Sequence, residues 1–462
     1  MNAVKVIDAP CGAGKTTWAI QEINRNIDTD YIYCTPFLTE IIRARSSCDA
    51  TRFKEPLPDE STTKLNSFTE LLEERYCIAV THSTFLNADA RTIDAMSSGK
   101  YTLILDEVLD VVTDFNKTHI VENDISQAVS EGDMELLIEK ELISINDRGL
   151  VQWTGRSYEG SKFSEVERLA KLKRLYYVRD CLLICVFPPE VFRVLDNVYV
   201  MTYRFEGSML RAYFELFDIP YELASVKKDN TGEYYACEYD PEIDMQYRRK
   251  IAGLIHIRDD DKYNFEGEQR RQKTMFSSTW WDDKKRSTPE IMERLSRYID
   301  SYIRGYGAAV KNEDIMWTCP KDKIGKLPKR KRLSKVTSLT TIEKDELNKL
   351  SATERDAKLN SFVSCNIKAS NLYSSRWVLI YLCSLSYPPV IRGFFVDDNP
   401  ERIRNGKKAI VLDNDEFALS SLIQWICRSR LRNNKPIELY LPSKRMRKLF
   451  TDWLNEAFEE DA

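Results

Sequence analysis

Histidine is the scarcest chemistry in this 462-residue chain. There are 3 histidines, His82, His119 and His256, all far apart in sequence. No Cys-x-x-Cys pair exists among the 11 cysteines, and the nearest two are Cys181 and Cys185. A zinc site therefore has no ligand set in the sequence. The odd cysteine count, with several thiols inside apolar runs, excludes a disulfide framework and fits reduced thiols in a cytosolic protein. A long apolar run is missing too. The longest, "WVLIYLCSLSYPPVI" at 377–391, is shorter than a membrane span of about 20 residues and is broken by Pro388 and Pro389. The first ten residues contain no apolar signal core. An excess of positive charge is also lacking: the net charge is −4 and the pI about 5.8. The chain as a whole is no basic nucleic-acid coat, so any such surface is local. No internal repeat stands out.

What is present is ordinary globular material. Hydrophobic residues make up 43%, charged residues 30% and aromatics 11%, enough to fill real cores. At roughly 100–200 residues per domain the length implies two large domains or three small ones.

The most specific stretch is "APCGAGKTTWAI" at 9–20. Before it, "VKVID" at 4–8 reads as a strand. After it, "TTWAIQEINRNI" places Trp18, Ile20, Ile23 and Ile27 at helical spacing. Strand, glycine loop and helix form the context that a phosphate-binding loop requires. Gly12 and Gly14 permit backbone angles closed to other residues, so that N–H groups turn toward phosphate oxygens. Ala9 stands where the motif has its first glycine and is small enough for a tight turn. Ala13 and Thr17 complete the cradle, Lys15 reaches the terminal phosphates, and Thr16 is the expected Mg²⁺ ligand. The helix N-terminus adds the positive end of its dipole. The expected cofactors are ATP and Mg²⁺.

"YTLILDEVLD" at 101–110 reads as a buried strand ending in Asp106-Glu107. A strand-end aspartate can hold the water shell of Mg²⁺. The glutamate beside it can polarise an attacking water. This pair suits hydrolysis better than transfer to a small substrate, which disfavours a small-molecule kinase. Two further apolar runs close on hydroxyl residues: "YIYCTPF" at 31–37 on Thr35-Pro36, and "CIAVTHSTF" at 77–85 on Thr81, His82 and Ser83. In an open α/β sheet such strand ends face the ligand crevice, where they can meet nucleic-acid phosphates. Ordinary strand-exit turns are the alternative.

Toward the C-terminus, "ALSSLIQWICRSRLRNNKPIELYLPSKRMRKLFTDWL" at 418–454 reads as helix, turn, strand and helix. Gln424 and Arg428 are four apart and share a helical face. Arg428, Arg430 and Arg432 form a set from which an arginine finger can come. The densest basic run, "KDKIGKLPKRKRLSKVTS" at 321–338, contains Lys329, Arg330, Lys331 and Arg332 and reads as a loop for phosphate contacts or as a solvated loop.

In this order "CGAGKTT", "CTP", "LDEV", "VMTYRFEGS" and "QWICRSRLR" resemble the successive motifs of superfamily 2 helicases and translocases, and the C-terminal stretch is similar to DEAD/DEAH-like helicases of bacteriophages. Against the family's final Gln-x-x-Gly-Arg-x-x-Arg, Gln424 and Arg428 match. Cys427 replaces the glycine and Leu431 stands at the last arginine, so Arg430 or Arg432 substitutes. "SCNIKASNLYSSRWVLIYL" at 364–382 resembles the fifth motif loosely, through Asn366, Ala369 and Asn371.

The resemblance implies an α/β fold of two RecA-like P-loop lobes with parallel sheets, ATP lying between them. The expected first lobe is 1–220, with a helical insertion at about 112–190 that grips nucleic acid or a partner, or merely decorates the lobe. The expected second lobe is 235–462, with its basic loop at 321–338 and an arginine-finger helix near 418–432. The implied activity is ATP-driven movement along nucleic acid, DNA before RNA, beside replication or recombination proteins. The implied place is the cytoplasm of a bacterial host, with no membrane. A nucleotide-gated adaptor or loader ATPase that does not unwind uses the same motifs and is the rival.

Overall fold

Every strand of the larger sheet except one runs parallel to its neighbours. In the computed structural model, described for residues 2–48, 53–59, 62–119, 128–156, 162–259, 275–307, 310–328, 333, 336, 347, 350–367 and 371–459, the chain divides into two units. The first comprises Met1–Ala9, Ala13–Tyr239 and Tyr387–Asp413; the second comprises Pro10–Gly12, Asp240–Ser386 and Asn414–Ala462.

The strands of the first unit are β1 (Val4–Asp8), β2 (Tyr31–Thr35), β3 (Phe53–Lys54), β4 (Cys77–Thr81), β5 (Thr102–Asp106), β6 (Val112–Asp114), β7 (Ile143–Ile145), β8 (Val151–Trp153), β9 (Leu175–Val178), β10 (Leu182–Val186), β11 (Asn197–Thr202), β12 (Tyr221–Lys228) and β13 (Tyr234–Glu238). The eight-stranded sheet has the order β13-β12-β1-β11-β5-β2-β4-β3. Only β13 is antiparallel, to β12. The central strands are continuous apolar runs because parallel strands are covered on both faces. Residues of β2 and β5 are buried throughout. Helix α1 (Lys15–Arg25) follows β1 and packs Trp18, Ala19 and Ile23 against Tyr31, Tyr33, Ile104 and Met201.

The segment expected as a helical insertion is instead mixed. It carries the helices Phe115–His119, Glu131–Glu139 and Ser164–Lys171. It also carries a three-stranded antiparallel sheet, β6-β10-β9, and the hairpin β7-β8. β9 and β10 escape a helical reading because they are short and the turn between them has no glycine. Arg179 and Asp180, which join β9 to β10, both take positive φ, 54° and 50°, the backbone of the turn that usually selects Asn-Gly. Lys173, at φ 56°, breaks the apparent helix before "LYYV".

The second unit has β14 (Ile255–Ile257), β15 (Ile315–Thr318), β16 (Val378–Tyr381) and β17 (Ile437–Tyr440) in a parallel sheet of order β14-β17-β16-β15. The helix Pro289–Arg304 is capped by Thr288 and buries Leu295, Ile299 and Ile303 against Ile315, Val378 and Ile380. Two expected boundaries move. The first unit runs on to Tyr239, because the β12–β13 hairpin extends its sheet past residue 220. Residues 387–413, expected in the second lobe, belong to the first unit. There the Tyr387 hydroxyl donates to the buried Gly207 carbonyl at 2.7 Å, and Arg179 holds Asp397 through two hydrogen bonds at 2.9 and 2.7 Å.

Candidate functional site at the edge of the parallel sheet

β1 lies between β12 and β11, and the loop that leaves it turns over the C-terminal edge of the sheet. The Ala9 N–H donates to the Thr202 carbonyl at 3.1 Å, so the loop starts from a fixed point. Gly12 and Gly14 take φ of 80° and 96°, angles that a side chain at either position strains against. Gly14 immediately precedes α1, and no side chain caps the helix. The helix therefore begins without a side-chain cap, and its N-terminus presents the positive end of its dipole. The Lys15 ammonium donates to the Ala9 carbonyl and so spans the loop. Trp18 anchors the helix from below, edge-on to Tyr199 at 5.3 Å.

β11 and β5 bring the second motif alongside. Asp8 accepts the N–H groups of Arg204 and Phe205 at 2.7 and 3.0 Å, which fixes the turn after β11. Asp106 pairs in register with Met201. The Asp106 side chain is buried, 6% exposed. Burial, then Glu107 and Glu40, push its carboxyl from 3.8 up to about 7, against the pull of Lys15 and a hydrogen bond from Tyr33. The Tyr33 hydroxyl donates to Asp106 Oδ2 at 3.3 Å. His82 Nε2 bonds the Asp106 carbonyl at 2.9 Å. Glu107 is half-buried and held at φ 65°, a left-handed conformation uncommon for a side-chain-bearing residue and typical of strained functional positions. Its N–H is held by the Met201 carbonyl at 2.9 Å.

Ala9–Thr17, Asp106 and Glu107 thus share one edge of one sheet. Among the described residues no group of three or more His, Cys, Asp or Glu could hold a metal ion. The oxygen donors here, the Thr16 hydroxyl and the Asp106 carboxylate, suit Mg²⁺, which takes one or two protein ligands plus phosphates and water rather than an all-protein cage. A buried carboxyl with a raised pKa is also one that a nearby cation returns to its ionised form.

Two of the expected strand-end contacts are closed off from the surface. Thr35 is 0% exposed, sealed between β4 and β5 as the last residue of a central strand. His82 is buried and used to hold the Asp106 backbone. Pro36 and Thr81 are half-buried, and Ser83 is exposed. Thr81 caps the short helix after β4, accepting the Thr84 N–H at 3.3 Å. Lys329, Arg330, Lys331 and Arg332 lie outside the described residues, as does Ala369.

In the second unit the helix Asn414–Ile426 ends before Arg428, so Gln424 and Arg428 do not share its face. The Ser429 hydroxyl takes the Ile426 carbonyl at 2.6 Å and turns the chain. Gln424 Nε2 donates to the Ser420 hydroxyl at 3.5 Å. Arg428 is buried, 4% exposed. Arg430 donates to the Pro436 carbonyl and stacks on Trp377 at 5.0 Å. Both contacts lie just before β17 and β16, at the edge opposite the strands' C-terminal ends. Ligand crevices of parallel sheets open at the C-terminal ends, so Arg430 is a structural residue here. Arg432, half-buried, sits in the same turn, Arg430–Asn433.

Tyr33, Glu40, Asp8 and His82 are the positioning groups that sequence reading missed in these roles. Tyr33 was legible only as a member of an apolar strand, and His82 only as a residue at a strand's end. Nothing in their spacing tells that they converge on Asp106.

The fold and this edge define an α/β protein with a glycine loop and helix opposed to a strand-end acidic pair. The chain belongs to the YonV family. It is 31% identical, over 98% of its length and 99% of the relative's, to the SPbeta prophage-derived protein YonV of Bacillus subtilis strain 168. Residues 249–454 match the YonV C-terminal Rossmann-like domain, and residues 125–185 match the YonV middle domain. Similar solved structures include S. tokodaii Xpd4, 13% identical with a TM-score of 0.43 over 98% of this chain and 94% of that one. Another is the DUF1998 helicase MrfA bound to DNA and AMPPNP, 8% identical with a TM-score of 0.33 over 99% of this chain and 48% of that one.

Proposed function

We propose that the chain is a nucleic-acid-dependent ATP hydrolase of the superfamily 2 helicase or translocase type, phage-encoded and acting in the host cytoplasm, on DNA before RNA. The observation that carries the hydrolase is the meeting of Lys15 and its glycine loop with Asp106-Glu107 on one sheet edge, where the Lys15 charge acts on the Asp106 carboxyl. The nucleic-acid coupling rests on the order of the motifs along the chain.

In this reading the loop N–H groups and Lys15 bind the β- and γ-phosphates. Thr16 and Asp106 would hold Mg²⁺, which would neutralise phosphate charge when bound. Glu107, strained and half-buried, orients the attacking water and takes its proton. Arg428 and Arg432 are the arginines left for γ-phosphate sensing, since Arg430 is engaged with Pro436 and Trp377.

Lys15→Ala is expected to abolish nucleic-acid-stimulated ATP hydrolysis; full activity in that variant would overturn the assignment. Glu107→Gln is expected to lower turnover at least about 100-fold while ATP binding persists. ATPase stimulation measured side by side with single-stranded DNA, duplex DNA and RNA identifies the polymer. The rival, an adaptor or loader ATPase that does not unwind, gains from the burial of Thr35 and His82, which removes two expected nucleic-acid contacts. Hydrolysis without strand displacement on any overhang selects it.

A further inference from the structure

The geometry points to Tyr234 as the base-side wall of the nucleotide site, an aromatic platform on which the purine ring stacks. The inference rests on the reading of Ala9–Thr17 as a phosphate cradle and deepens it.

Tyr234 opens β13, the edge strand two places from β1. Its ring lies on Gly14. A Cβ built on that glycine would meet Tyr234 Cε1 at 2.1 Å and Cδ1 at 2.5 Å. Gly14 immediately precedes the first turn of α1, so the ring stands beside the N–H groups that hold phosphates. A nucleotide anchored there extends past the helix start and next meets this ring. The residue is half-buried, with Gly14 against its ring and the mobile end of the Lys228 side chain over it, so a base stacks where the ammonium now lies. Tyr234 is also held in place from the same helix. The Tyr234 N–H donates to Gln21 Oε1 at 2.8 Å, Arg25 donates to the Tyr234 carbonyl at 3.5 Å, and Arg25 pairs with Glu233. Loop and platform therefore share one rigid frame, which lowers the ordering cost of binding. Lys228 Nζ lies over the ring, 5.6 Å from its centroid, a cation–π contact that a stacked base replaces.

Binding of ATP and of inorganic tripolyphosphate, each with Mg²⁺, to the full-length chain separates a stacking role from a structural one. Tripolyphosphate carries the phosphates and no base. Tyr234→Ala is expected to weaken ATP about tenfold and leave tripolyphosphate unchanged, as loss of one aromatic–base stack does. Tyr234→Phe is expected to bind ATP as the wild type does, and the preference for ATP over CTP is expected to shrink in Tyr234→Ala. If Tyr234→Ala fails to fold, Tyr234→Leu keeps bulk against Gly14 and is expected to show the same split. Unchanged ATP binding, or equal losses for ATP and tripolyphosphate, overturns the platform while leaving the phosphate cradle standing. A wild-type chain that binds neither ligand overturns both.

Discussion

Asp106 is where the cost of this site is concentrated. Its carboxyl titrates near 3.8 in an unfolded chain and about 7 in the folded one. The folded state therefore binds the proton more tightly. Its stabilising contribution is complete below about pH 4 and is lost as pH rises through 7. Asp106→Asn removes a buried charge that is ionised at pH 8 and keeps an acceptor for Tyr33. The variant is expected to be more stable than wild type at pH 8 by roughly 3–4 kcal/mol, with the gap closing toward pH 4, while hydrolysis is lost. Thermal melts at the two pH values check this; equal melting temperatures at pH 8 would remove the buried-charge account. Stability given up at a functional position is the usual trade between activity and fold.

At the scale of elements, the β1–α1 loop separates two glycines that look alike in sequence. Gly12, at φ 80°, has nothing within 4 Å of an added Cβ; Gly14, at φ 96°, has the Tyr234 ring there. Gly12→Ala is expected to cost only the backbone strain, about 1–2 kcal/mol. Gly14→Ala adds a clash with a tethered ring and is expected to cost more and to displace β13. Denaturant midpoints of the two variants, with far-UV spectra, test the order. The loop itself was legible, because strand, glycines, lysine and helix are contiguous. The hairpin lying on it was not, since Tyr234 reaches Gly14 from more than two hundred residues away through a sheet edge. The end of the helix Asn414–Ile426 was likewise hidden: "QWICRSR" continues a helical pattern, but the chain turns there, with the Ser429 hydroxyl donating to the Ile426 carbonyl.

At the scale of the whole molecule, the chain leaves the first unit at Tyr239 and returns to it at Tyr387. Two of the interactions that hold the returning segment differ in weight. The Arg179–Asp397 pair is about half exposed on both sides, and such pairs contribute under about 1 kcal/mol. The Tyr387 hydroxyl bond to Gly207 is buried, and removing it leaves a carbonyl without its donor. Arg179→Ala is expected to change stability by less than about 1 kcal/mol and Tyr387→Phe by about 1–2 kcal/mol. The reverse order in urea melts would show that the ion pair holds the segment.

The sequence by itself determined the contiguous features: the glycine loop between strand and helix, the acidic pair at a strand end, and the central strands as apolar runs. These are local, set by spacing along a few residues. Among the described residues no helix is long and apolar enough to cross a membrane, as the short apolar runs required. Tertiary structure decided what depends on neighbours distant in sequence. It buried Thr35 and His82, which strand-end chemistry had placed at a surface. It committed Arg430 to Trp377 and Pro436 at the far edge of its sheet. It joined residues 387–413 to the first unit and made the middle segment a mixed α/β element. Burial, which strand edge a residue lies on, and the company a side chain keeps arise only when segments far apart in the chain pack together, and spacing carries no record of that.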